Sequence, residues 1–372
     1  MAFLGDNAQV RDRITSMQLQ CASKRPRALL MVPLRRCGSH ALRLRLNFNT
    51  EFYSPYPLHI VDFMPLLPLY GDLAEDRNYF ELVVDVVGLQ AASMVKWPDV
   101  VFDPTEIFAA IKGETRSVHR VVWELLLQAG EHHGATIVMD KSLDSVSYAD
   151  QLIDLFPNML FLNVVRDPRA QVASMNRAII HDFDTTINAM TWVEAHRAAR
   201  ALVQQHPESV LTIRYEDFLA NQEHTLRKVC NFLGLVFVPE MLDVGGSHEA
   251  QKLSKMSDLW SSNCFAPIPV NRDKFKDQLS KAEIETIETL AWDHMLHYGY
   301  ELMTEACAAL PDDDALRACA KRSIQARTQA WQQLARTNHR DHALRRFRAD
   351  YLARVRDSLQ ARERDGRALS SH

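Results

Sequence analysis

Short apolar runs that end abruptly in Arg-, Gly- or Pro-bearing turns, each followed by a segment with helical spacing, recur along this chain. Met159 to Val165 is an apolar run with β-branched residues, which predicts a buried strand. Arg166-Asp167-Pro168 stops it, because proline cannot donate to a strand ladder. From Arg169 the pattern turns helical, with Val172 and Met175 on the inward face. The same unit precedes it at Arg27 to Leu34 (RALLMVPL), followed by the turn Arg35-Arg36-Cys37-Gly38-Ser39-His40 and a helix start at Ala41 to Leu46. Thr136 to Met139 is a third apolar strand, and Ile213-Arg214 leads through Tyr215-Glu216-Asp217 into a helical stretch around Leu226 to Leu235. Strands alternating with helices predict an α/β fold with a central parallel sheet.

The turns carry the chemistry. Arg166 sits at the carboxyl end of a central strand and Ser174 in the next helix, the edge of an open α/β sheet where ligands bind. A guanidinium fork and a hydroxyl there can grip a phosphate dianion. The competing reading is a strand–helix junction in which Arg166 pairs with Asp167 or Asp154. In the first turn, backbone N–H groups beside Gly38, the helix start and the charges of Arg35 and Arg36 suit an anion. It is not a Walker A loop, since the spaced second glycine and the Gly-Lys-Ser/Thr ending are missing.

Together these units resemble the sulfotransferases that use 3′-phosphoadenosine 5′-phosphosulfate (PAPS). Arg35 to His40 resembles the family's 5′-phosphosulfate loop, often Arg-Ser-Gly-Thr-Thr. Arg166 and Ser174 keep the eight-residue spacing of the pair that holds the 3′-phosphate. Ile213 to Ala220 with Leu226 to Leu235 looks like the strand, Tyr-Glu-Asp and helix in which the tyrosine, here Tyr215, approaches the adenine. Val138-Met-Asp-Lys-Ser-Leu143 is similar to the Asp-Lys-(Thr/Ser)-Pro segment of bacterial members and of tyrosylprotein sulfotransferases. The resemblance runs from about Arg25 to Met303. It implies a P-loop-like three-layer fold with a central parallel sheet flanked by helices, PAPS as sulfuryl donor, adenosine 3′,5′-bisphosphate (PAP) as product and no metal.

Departures from the pattern are local. Cys37, Ser39 and His40 stand where Ser, Thr and Thr are common, an Arg replaces the lysine of many cytosolic members, and Leu143 replaces a proline. The family's carboxyl-terminal cofactor loop is matched only by Val270 to Phe275, which makes Arg272 its candidate. For the cation beside the leaving oxygen the candidates are Arg36 and Lys141; the alternative for Lys141 is an exposed lysine paired with Asp140 or Asp144. The acceptor, a hydroxyl with an amine as the alternative, needs a general base. His59, in Phe52-Tyr-Ser-Pro-Tyr-Pro-Leu-His-Ile-Val-Asp-Phe63, keeps the histidine of a Pro-Pro-Glu-Leu-His-like region, and an imidazole suits proton abstraction near neutral pH. Its rivals are Glu51, Asp62 and His40. The segments Pro55 to Tyr70 and Leu259 to Val270 are expected to form flexible walls over a hydrophobic or amphipathic acceptor, with Trp260 beside them and Trp192 in the core. His196, His294 and His297 fall on predicted helices and are expected to be structural.

Composition narrows the setting. The 372 residues, 47% hydrophobic, suffice for a full core, and no run approaches the roughly 20 apolar residues of a membrane span. The start lacks a basic region followed by an apolar block, so no secretory signal is expected. The six cysteines (21, 37, 230, 264, 307, 319) show no CxxC pair or zinc spacing, which predicts reduced thiols, a cytoplasmic location and no metal. Charge is uneven: from Asp312 onward 14 Lys/Arg face 8 Asp/Glu, a net +6 that leaves −10 for the rest of a chain whose total is −4.

The expected organisation is therefore a lead-in (1–24), a sulfotransferase domain (25–303) and a basic amphipathic helical extension (312–366). Pro311-Asp-Asp-Asp314 marks a helix start, with Leu316, Ile324, Trp331 and Leu334 as anchors. Leu344, Phe347, Tyr351, Val355 and Leu359 mark a second helix. The extension is expected to pack on the body or on a second subunit; no nucleic-acid motif accompanies its charge. Two other functions fit less well: a P-loop phosphotransferase, and a non-catalytic nucleotide-binding module that recruits a partner through its basic tail.

Overall fold

The computed structural model describes residues 25–265 and 269–370. Five strands form one wholly parallel sheet in the order β2-β3-β1-β4-β5. They are β1 (Arg27–Val32), β2 (Phe52–Tyr53), β3 (Ile137–Asp140), β4 (Leu160–Val165) and β5 (Val210–Arg214). The expected lead-in, with Cys21, lies outside the described residues.

Parallel neighbours need crossovers, which the helices supply. α1 (Ser39–Leu46) follows β1. α2 (Asp76–Ala91), α3 (Pro104–Ile111) and α4 (Val118–His132) lead from β2 to β3. α5 (Ala149–Leu155) leads into β4, and α6 (Pro168–Met175) with α7 (Thr185–Gln205) into β5. Beyond the sheet come α8 (Tyr215–Ala220), α9 (Gln222–Leu233), α10 (His248–Met256), α11 (Lys281–His297), α12 (Asp313–Thr337) and α13 (His339–Ser370).

The two-residue alternation of β1 divides the core. Ala28, Leu30 and Val32 pack with α2 and α4 on one face, while Leu29 and Met31 pack with Leu42, Leu46 and the apolar side of α9 on the other. A third cluster joins Val165, Val172 and Met175 to Trp192 and the inward face of α11. Trp192 is fully buried, and its indole N–H donates to Gln171. His196 stacks on that indole. The α/β architecture and the strand–turn–helix units are as the periodicity predicts, with ends shifted by up to four residues.

Two expectations fail on contact with the core. The Pro55–Tyr70 segment is not a flexible wall: Leu58, Ile60, Phe63 and Tyr70 are core residues and the chain between them is wound in 3₁₀ turns. Only Tyr56, His59 and Asp62 of that segment face the main cavity. In the extension, α12 is not anchored by its apolar residues. Ile324 is 64% exposed, and Leu316, Trp331 and Leu334 are half-buried. Polar contacts hold it instead: Ser323 and Arg327 bind the Asp182 carboxylate and Arg322 binds that of Asp184. Asp312 caps the helix by accepting from the Ala315 N–H.

α13 does use its stripe. Val355 and Leu359 enter the same cluster as α2, whereas Phe347 points outward. The extension therefore packs on the body of its own chain. Among the described residues no helix is long and apolar enough to cross a membrane.

Candidate active site

The register that pairs Leu30 with Asp140 and Val32 with Asn163 brings the carboxyl ends of β1, β3 and β4 to one sheet edge. A cavity of about 770 Å³ opens there. Its floor is the turn between β1 and α1. Arg36 and Gly38 both take the left-handed conformation (φ 72° and 86°), one on each side of Cys37. Such alternation turns successive N–H groups toward one concavity. Glycine is required at 38 because a Cβ would collide with the Tyr215 ring.

Three cations converge on this floor without a carboxylate. Arg36 donates from Nε to Ser174 Oγ at 3.0 Å. Arg166 spans two carbonyls, of Arg36 (2.8 Å) and Asn271 (3.3 Å), and its guanidinium lies 4.9 Å from the centre of the Tyr215 ring. Lys141, only 2% exposed, reaches Ser39 Oγ at 3.5 Å. Among the described residues none of the three forms an ion pair, although most buried arginines here do: Arg43 with Glu249, Arg169 with Asp167 and Glu288, Arg35 with Asp144.

The unpaired state shows in the electrostatics. Burial, then the neighbouring Arg166, lowers the Arg36 pKa to about 10. Burial, then Arg43, lowers that of Lys141 to about 7. Such groups are costly without a counter-ion. Arg166 Nε and His40 Nδ1 are likewise buried beside this floor and without a hydrogen-bond partner among the described residues.

The junction reading of Arg166 is thereby resolved. Asp167 is engaged by Arg169 and caps α6, and neither it nor Asp154 takes Arg166. Lys141 pairs with neither proposed partner, because Asp140 accepts the Ser142 N–H and Asp144 binds Arg35. Arg35 lines the cavity, already neutralised.

The remaining candidates divide. Gly38, Ser39, His40, Ser174 and Tyr215 all line the cavity. Cys37 does not: its thiol is in the core, and burial raises its pKa to about 11. Arg272 is exposed and outside the lining, where Asn271 and Lys274 stand instead.

Among the candidate bases, Glu51 is excluded by topology. Its carbonyl accepts the Thr136 and Ile137 N–H groups at the amino-terminal edge of the sheet, opposite the cavity. Asp62 lines the cavity but is paired with Arg348. His59 faces the cavity from a left-handed position (φ 52°), its N–H donating to Ser142 Oγ at 3.2 Å. Burial, reinforced by Arg35, Lys141 and Arg348, holds its pKa well below 6.5, so the imidazole is neutral at physiological pH. His40 is likewise held neutral by burial and Lys141.

Above the floor the cavity turns aromatic. Tyr56 and Trp260 meet edge to face, with centroids 5.6 Å apart, and His40 packs against both. Sequence reasoning gave no cavity role to four further lining residues: Arg177, in the turn after α6, and Trp331, Arg345 and Arg348 from the C-terminal extension. No local motif marks them, and the helical stripe of the extension is the one signal for the last three.

The family model described as "Sulfotransferase family" matches residues 29–239, more than half of the chain. The chain belongs to the sulfotransferase family. Among solved structures it is similar to the sulfotransferase domain of the Synechococcus PCC 7002 olefin synthase (24% identity, 72% of this chain and 94% of that one covered, TM-score 0.49). It is also similar to the sulfotransferase domain of the curacin biosynthetic pathway (20% identity, 75% and 100% covered, TM-score 0.48). A sulfotransferase of Mycobacterium avium matches at 13% identity over 79% and 82% of the two chains, with a TM-score of 0.40. Among curated proteins none matches. The matched segment of this sulfotransferase holds the anion floor and His59, while the extension that closes the aromatic half lies beyond it.

Proposed function

We propose that this sulfotransferase moves a sulfuryl group from PAPS to the hydroxyl of an apolar or amphipathic acceptor. The observation that carries the reading is the convergence of Arg36, Lys141 and Arg166, unpaired and buried or half-buried, on the turn at Gly38. A donor with two separated anionic groups fits it. Arg166 and Ser174 would hold the 3′-phosphate, and Arg36, Lys141 and the N–H groups from Gly38 to His40 would hold the phosphosulfate.

When bound, PAPS supplies an activated sulfuryl group whose bond to the leaving phosphate oxygen breaks as an acceptor oxygen bonds sulfur. His59, neutral and facing the cavity, takes the acceptor's proton at a ring nitrogen. Lys141 and Arg36 neutralise charge developing on the leaving oxygen from fixed positions, so little reorganisation accompanies transfer. Tyr56, Trp260 and Trp331 offer apolar surface to the acceptor.

Calorimetric titration of PAP into the wild type and Arg166→Ala, with ATP as control, tests the donor assignment. Tight PAP binding with weak ATP binding is expected. Loss of the charged partner should weaken PAP by about 2 kcal/mol or more. A wild type that binds no PAP would instead favour a non-catalytic module.

A further inference from the structure

His59 is a non-glycine residue in the left-handed region (φ 52°, ψ 57°), a conformation that persists only where the surroundings over-determine it. One constraint is local: the Asp62 N–H donates back to the His59 carbonyl at 3.1 Å. A second comes from the turn after β3, where the hydroxyl of Ser142, next to Lys141, accepts the His59 N–H. The third arrives from α13, nearly three hundred residues along the chain. Arg348 donates from Nη2 to the carbonyls of Leu58 (2.8 Å) and His59 (3.2 Å) and from Nη1 to the Asp62 carboxylate (2.9 Å). One planar guanidinium thus bridges both ends of the turn, a geometry that lysine cannot reproduce.

The helix that carries it is firmly seated. Val355 and Leu359 are in the core, the Tyr351 hydroxyl donates to the Asp85 carbonyl at 2.9 Å, and Arg362 donates to the carbonyls of Leu69 and Tyr70 and pairs with Glu81. α13 is therefore a rail along the segment from 58 to 70. Nothing in this arrangement serves the anion floor.

We propose that Arg348 is a positioning residue for the transfer reaction: from the C-terminal helix it fixes the turn at Leu58–Asp62, so that the His59 imidazole is held over the acceptor side of the cavity. The inference rests on the reading of His59 as base. It makes the extension part of the catalytic apparatus although the family model ends at residue 239.

The test compares wild type, Arg348→Ala and Arg348→Lys, with Arg356→Ala on the outer face of α13 as control. The His59 ring resonances, assigned by their loss in His59→Gln, are followed by NMR from about pH 5 to 8. The charged and titratable groups around this ring are Arg35, Lys141, Arg345 and Arg348, with His40, Tyr56 and Asp62 nearby. In the wild type and in Arg356→Ala the ring is expected to stay neutral across most of this range. In Arg348→Ala it should titrate closer to the ordinary histidine value and give resonances averaged over several orientations. Arg348→Lys should keep the low value, since the charge remains, but show the same averaging.

Transfer from PAPS to 2-naphthol is the second readout. Arg348→Ala should lose tenfold or more in kcat with KM for PAPS and PAP affinity within about twofold of wild type, and Lys should recover only part of the loss. Unchanged His59 resonances and unchanged kcat in Arg348→Ala would overturn the proposal. A wild type that fails to bind PAP would overturn the donor assignment alone, and the His59 resonances would still decide the role of Arg348.

Discussion

Lys141 concentrates the site's electrostatics in one side chain. It is buried without a counter-ion, with a pKa of about 7, against about 10.4 in an unfolded chain. Between those values the native state binds fewer protons than the unfolded state, so the burden on stability is complete below pH 7 and fades as pH rises toward 10. Lys141→Met is therefore expected to raise Tm, most at and below pH 7, while weakening PAP at least about tenfold. A bound polyanion favours the protonated amine. PAP binding should accordingly take up a proton near pH 8, and affinity should fall above pH 7, by at most about tenfold per pH unit. Calorimetry in buffers of different ionisation enthalpy measures that uptake. At His59 the expectation differs: His59→Ala should leave PAP affinity intact and lower turnover at least about a hundredfold, read with 2-naphthol and PAPS under saturation.

Among the elements, the turn between β1 and α1 holds the shape that the proposed anion cradle needs because its conformation is enforced from both sides. Gly38 takes φ 86° against the Tyr215 ring, and that ring also lies under Arg166. Tyr215 begins α8 directly after β5. Its neighbour Glu216 accepts the Asp167 N–H and the Tyr300 hydroxyl, which fastens the β4 and β5 turns together. Gly38→Ala must both strain the backbone and displace the ring, at a cost of about 1–3 kcal/mol. Loss of PAP binding with a folded far-UV spectrum is the expected outcome, checked by calorimetry and circular dichroism. These units were legible in the sequence because each is contiguous: an apolar strand, a polar turn and a helix within about 20 residues. Arg272 lies outside the lining, on a loop that no strand directs. At Cys37 the alternation through the turn, invisible in composition, points the side chain into the core and leaves only its backbone to the proposed cradle.

For the whole molecule, the question is whether the extension is an appendage or part of one cooperative unit. Leu359 is 1% exposed within the main core cluster, and Arg345 packs over Trp260 while pairing with Asp341. Leu359→Ala should cost about 2–4 kcal/mol. If α13 belongs to the same unit, the loss appears as a lower Tm of a single calorimetric transition rather than as a separate early melt. The exposed Phe347 and Ile324 show why the helical stripe alone misjudged the docking: a 25-residue helix such as α12 is held by a few ionic and hydroxyl contacts to Asp182 and Asp184, which hydrophobic spacing does not encode.

The α/β class, the parallel sheet, the family, the turns that carry Arg36, Lys141 and Arg166 and the helix that carries Ser174 were all legible in the residues alone. Those follow from periodicity and local motif, which act within a few turns of chain. Only the tertiary structure decided which cations are neutralised, since the partner of Arg35 lies 109 positions away. It alone placed Glu51 on the wrong edge of the sheet for the chemistry, and brought Arg348 to His59 across 289 positions. Charge pairing and backbone capture over such separations depend on how the layers stack, and no local stretch of residues contains that information.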